Sequence, residues 1–180
     1  MRKISDFDSV KEAGDNRSLP AGGYICSIWS VEDVPDKEYL KIEYDIVEGE
    51  WKNYGVEVTE RAGFNPLRFV RSYKQSALGF FKRMISAIEK SNPGYHWDWD
   101  ERTLIGKKFG AVLGEEQYQK NNGNIGTRIY LDREVTVDAI RHGDFKVPAL
   151  KTLPGHEPTS ADRSRLQPVQ LSDKELEDLF

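Results

Sequence analysis

Cysteine and histidine are scarce in this chain. The lone cysteine, Cys26, excludes an intramolecular disulfide and fits a reducing, intracellular compartment. The three histidines, His96, His142 and His156, are scattered, so nothing has the clustered spacing of a zinc site. No apolar run approaches the length of a membrane span. The opening MRKISDFDSV lacks the apolar stretch of a signal peptide. There is no glycine-rich loop before a Lys-Ser/Thr pair and no nucleophile elbow. The expectation is a cytoplasmic, non-catalytic protein with no cofactor and no metal. The net charge of -4 excludes a bulk polycation but leaves room for a local basic groove, because binding follows the local field.

At 38% hydrophobic and 31% charged residues, the chain can build a core but is polar for its length, so part of it is expected to stay outside one. Residues 1–20 read as a polar N-terminal arm. YICSIWSVEDV, from Tyr24, reads as a first strand and PDKE as a turn. In YLKIEYDIVEG, Leu40, Ile42, Tyr44 and Ile46 alternate with Lys41, Glu43 and Asp45, the period of a half-buried strand. WKNYGVEVTERAGF reads as a third strand, with Tyr54, Val56 and Val58 on one face. The period then changes: Ala77, Phe81, Met84, Ile85 and Ile88 form one helical stripe, with Leu78 alongside. Ser72 or Ser76 caps its start and NPG from Asn92 ends it. YHWDWDERTL is a loop or short helix. GKKFGAVLGEEQY and RIYLDREVTV are a fourth and fifth strand, joined as a hairpin through the polar turn QKNNGNIGT. Residues 148–170, rich in proline, read as a linker, and 171–180 as an acidic, disordered C-terminal tail.

Residues 21–147 thus read as mainly β with one helix, in the order β-β-β-α-β-β. A five-stranded barrel of the OB-fold type has that order, and so would a generic α+β sandwich.

Between Arg61 and Lys90 stand seven Lys and Arg residues against Glu89 alone, a local charge of +6. Phe64, Phe69 and Tyr73 are interleaved. Single-stranded nucleic acid is gripped by cations that track phosphates and rings that stack on bases. Arg61, Arg68, Arg71 and Lys74 are therefore candidate phosphate contacts, while Phe80 and Phe81 are expected in the core. Tyr118, Lys120 and Arg128 flank the hairpin turn and would border the binding face of such a barrel. Trp29, Tyr39 and Tyr130 are the strand aromatics that either reach the open face or are buried. The acidic DWDE (Asp98, Asp100, Glu101) offers carboxylates to a hard cation, as a nuclease would need, although exposed acidic turns are far commoner than metal sites.

The chain closes on LSDKELEDLF. Asp178, Leu179 and Phe180 suit docking of the last side chains and carboxylate into a partner's pocket. Alternatively, SDKE is a capping box and Leu176, Leu179 and Phe180 fold back on a short helix.

Taken together, LPAGGY, the alternating strand, ALGFFKRMISAI, LIGKKFGAVLGEEQY and GTRIYLDREVTV resemble a phage-encoded family of single-stranded-DNA-binding-like proteins found beside replication and recombination genes. The resemblance runs from about Leu19 to Val137, with Leu104, Gly106, Lys107 and Phe109 its most distinctive part. The tail is similar to those of bacterial single-stranded-DNA-binding proteins, although Leu179 stands where proline is common and Lys174 interrupts the acids. The resemblance implies sequence-independent binding of single-stranded DNA in a bacterial host's cytoplasm. It also implies tail partners among replication or recombination proteins. The sequence leaves the oligomeric state open: barrels of this type often assemble into a homo-oligomer, and no clear interface stripe is present in the sequence. The alternative is a phage protein that binds and inhibits a host protein or nuclease complex.

Overall fold

The structure is a computed structural model that describes residues 17–155. Most of the N-terminal arm, most of the linker and the whole acidic tail lie outside the described residues. The expected mainly β architecture is present as a five-stranded antiparallel sheet in the order β3-β2-β1-β4-β5. The strands are β1 (Gly22–Val34), β2 (Tyr39–Ile46), β3 (Arg68–Ser72), β4 (Lys108–Gln119) and β5 (Ile125–Val135). The alternation in β2 buries Leu40, Ile42, Tyr44 and Ile46, as its pattern predicts. β1 is shared: its N-terminal half pairs with β4 (Gly22 opposite Leu113) and its C-terminal half with β2 (Val34 opposite Tyr39).

Among the described residues three α-helices accompany the sheet rather than one: α1 (Tyr54–Ala62), α2 (Leu78–Ser91) and α3 (Val137–Arg141). α2 is the helix the stripe predicts, and it buries Phe81, Met84, Ile85 and Ile88. These side chains meet the inward faces of the strands, where Tyr44, Phe69 and Phe109 pack with ring centroids 5.4–6.3 Å apart. Each fully buried side chain of this size contributes about 1.5–3 kcal/mol.

The expected third strand is a correction. Tyr54, Val56 and Val58 lie in α1, and the third strand falls later, at Arg68–Ser72. A carboxylate distant in sequence decides the helix. Asp45, buried at the end of β2, accepts from the N–H groups of Gly55 (2.7 Å) and Val56 (3.0 Å), which open α1. Those N–H groups have no partner within the helix, and the negative charge also suits its positive end. Gly55 must be glycine, because a Cβ there would stand 2.9 Å from both the Asp45 and Asn65 side-chain oxygens. Asn65 completes the buried knot, donating to the Tyr44 carbonyl and accepting from Leu67 N–H.

β3 and β5 are the two outer strands of the sheet. Arg71 of β3 and Glu134 of β5 form an ion pair across the space between them. On the far side of β4, α3 crosses closely enough that a Cβ at Gly110 would lie 2.7 Å from the Thr136 carbonyl. Two flanking segments also pack on the domain. Leu19 is buried, with Arg17 stacked 4.3 Å from the Trp51 ring. Lys151 forms a parallel bridge with Glu116 of β4, through Gln117 N–H to Lys151 carbonyl (2.8 Å) and Lys151 N–H to Glu115 carbonyl (3.0 Å). Among the described residues no helix is long and apolar enough to cross a membrane.

Candidate nucleic-acid interface

Around β3 the basic stretch divides in two. Arg68 and Val70 pair with Glu43 and Lys41, whose side chains leave the outer face of β2. Phe69 and Arg71 pair with Ile42 and Leu40, which point into the core. Arg71 is therefore turned inward. Its guanidinium lies 5.2 Å from the Phe69 ring and pairs with the buried Glu134, which Arg83 of α2 also reaches at 3.3 Å. This corrects the expectation that Arg71 contacts phosphate: strand periodicity commits it to a buried carboxylate that needs its charge.

The other cations of the stretch remain outside. Arg61 in the last turn of α1, Arg68, Lys74, and Lys82 and Lys90 on α2 are exposed and form no ion pair among the described residues. They precede, occupy and follow the edge strand β3. Exposed apolar side chains lie in the same segment: Phe64 at 50%, Val70 at 53% and Phe80 at 55%. The exposure of Phe80 corrects its expected place in the core. It sits one residue off the buried stripe, and Arg83 stacks on its ring at 5.3 Å. For Phe64, the only signal of a contact in the sequence is its place between Arg61 and Arg68.

Of the strand aromatics, Trp29 is 46% exposed, at the β-bulge between Ile28 and Ser30. A bulge re-aims the extra side chain and accounts for its exposure. Tyr39 is half-buried at the start of β2. Lys41 and Glu32 share this outer face as an ion pair of 3.1 Å, so its free positive charge comes from Arg68.

The hairpin residues form a separate group. β4 and β5 run on past the Gly22 end of β1, and Lys120 is exposed at their tip. Arg128 pairs with Glu116 at 2.8 Å and stacks 5.4 Å from the half-buried Tyr118. Tyr130 is corrected: opposite Gly114, it packs under Lys151, whose Nζ is 3.6 Å from the ring centroid, and its hydroxyl is buried without a partner. Lys151 already occupies that ring face. The sheet thus does not bring the hairpin group alongside the β3 group. Asp178, Leu179 and Phe180 lie outside the described residues.

Asp98 and Asp100 of DWDE are used locally: Asp98 accepts from Asp100 N–H (3.2 Å) and from the Thr103 hydroxyl (3.3 Å). Asp100 accepts from Arg102 N–H (3.0 Å) and from its guanidinium (2.9 and 2.8 Å), and the Arg102 hydrogen bonds hold its carboxyl below the usual range. Among the described residues no group of three or more His, Cys, Asp or Glu side chains is placed to hold a metal ion. No family model and no curated protein matches the chain.

Proposed function

We propose that this chain binds single-stranded DNA without reading its sequence, in phage or mobile-element replication or recombination. The strand lies along the outer face of β1, β2 and β3. One observation carries the reading: around this face the exposed cations Arg61, Arg68 and Lys74 lack acidic partners among the described residues, and the exposed ring of Phe64 lies between Arg61 and Arg68 in the chain. Trp29 and Tyr39 add rings from the neighbouring strands. Cations without internal partners are free to displace counterions from phosphates, and flat rings stack on any base.

The strand order supports an open OB-type barrel. Parting such a barrel between its third and fifth strands leaves the order β3-β2-β1-β4-β5, with a helix between β3 and β4. The Arg71–Glu134 pair spans that parting. In OB barrels the face of the second and third strands carries oligonucleotides. Lys120 and Arg128 would extend the path only if the strand wraps round the sheet. Asp178, Leu179 and Phe180 are proposed to engage a replication or recombination protein.

Fluorescence anisotropy with labelled oligo-dT tests the reading. Binding should weaken as salt rises, and the double variant Arg68→Glu, Lys74→Glu should flatten the logarithmic salt slope by about 0.7 for each phosphate no longer neutralised. Equal affinity for a duplex of the same length would remove the single-strand reading.

A further inference from the structure

A cavity of about 290 Å³ opens beside the start of α2, away from the outer face of β2 and β3. Leu40, Leu78 and Phe81 line its apolar part, and Tyr73, Trp97 and Trp99 its aromatic part. The four rings run in a chain: Tyr73 to Phe81 at 6.1 Å and Phe81 to Trp97 at 6.2 Å, both edge to face, and Trp97 to Trp99 at 6.1 Å, tilted. Trp99 is 80% exposed and holds a left-handed backbone (φ 69°), which a bulky residue rarely adopts. The Nε1–H of Trp97 is shut off from solvent and has no acceptor among the described residues. Asp33 and Glu101 complete the lining, and neither forms an ion pair among the described residues. Asp33 holds the Tyr73 hydroxyl at 2.9 Å. The Asp33 and Glu101 carboxylates make the pocket mouth negative; desolvation first, then the hydrogen bond to Asp33 and the charges of Asp33, Glu38 and Glu101, push the Tyr73 phenol up.

We propose that this pocket captures an arginine side chain of a protein partner. A guanidinium is flat and weakly hydrated; it stacks on indole and phenol faces and pairs with carboxylates. The volume sits just below the range of drug-sized ligand sites and suits one side chain. Nucleic acid is disfavoured, because its phosphates would approach Asp33, Glu38 and Glu101. The chain's own acidic end carries the wrong sign as well.

The test is a nitrogen-correlated NMR titration of the full chain with a short acetylated, amidated peptide bearing one central arginine. A second peptide, with citrulline in its place, keeps the shape and removes the charge. The arginine peptide should shift the indole signals of Trp97 and Trp99 and leave those of Trp29 and Trp51 in place, with the citrulline peptide at least about tenfold weaker. Trp99→Ala, at an exposed position the fold tolerates, should weaken the arginine peptide about fivefold and leave oligo-dT binding unchanged. Equal binding of the citrulline peptide, or no saturable shift, would overturn the proposal. Loss of oligo-dT affinity in Trp99→Ala would hand the pocket to nucleic acid and overturn it too. So would peptide binding that emerges only once Arg2 and Lys3 are replaced by alanine, since the chain's own arm would then be the occupant.

Discussion

Glu134 brings one negative charge into contact with two guanidiniums, Arg71 and Arg83, whose Nε atoms are buried without acceptors among the described residues. Replacing it with glutamine leaves the largely buried Arg71 guanidinium without its counter-charge, while Arg83, 40% exposed, keeps contact with solvent. Glu134→Gln should lower unfolding stability by about 3–5 kcal/mol in urea denaturation. Exchanging Glu134 and Arg71 together for apolar residues of similar size should recover much of that loss. Cys26 and Tyr44 behave differently because they are buried neutral. Burial pushes both acids up, well above their ordinary values of 9.0 and 10.0. As pH rises past these values the unfolded chain releases protons that the folded one keeps. Stability is therefore complete below about pH 9 and falls above it. Urea midpoints at neutral and at strongly alkaline pH should show the fall. The Cys26 thiol should react with Ellman's reagent only after denaturation.

At the scale of single elements, α1 depends on Asp45. Asp45→Ala removes the acceptor of the Gly55 and Val56 N–H groups and should cost about 1–2 kcal/mol. Gly55→Ala should destabilise through its contact with the Asp45 and Asn65 oxygens. Thermal melts followed by circular dichroism check both. The same element marks the limit of reading structure from sequence. β2 and α2 are legible because each buries one face of constant period, and β4 and β5 because a polar, glycine-containing turn separates two runs rich in strand-forming residues. In α1, Val56 and Val58 mimic strand alternation, and what makes it a helix is a carboxylate contributed from β2, ten residues away, which no local window contains. β3 is hidden for the opposite reason. RFVRS sends Arg71 inward, so its polarity pattern contradicts its pleat until Glu134 is known to lie opposite.

Over the whole molecule, the cationic stretch is legible as a charge count but not as a surface. Five of its seven cations stay outside and two turn in, a division set by β3 register and by a buried glutamate more than forty residues further along the chain. The acidic aromatic pocket is less visible still, because its lining comes from β1, β2, the segment after β3, α2 and the DWDE loop.

Past Gly22, β4 loses β1 as its neighbour, and Lys151 settles into the vacated lane. Without that strap, the flank from Glu115 to Gln117 would present bare amides and carbonyls to any passing chain, the template from which runaway assembly grows. Trimming the protein back to Leu150, which keeps α3 and removes Lys151, should therefore turn a well-behaved species into one whose size climbs with concentration in light scattering.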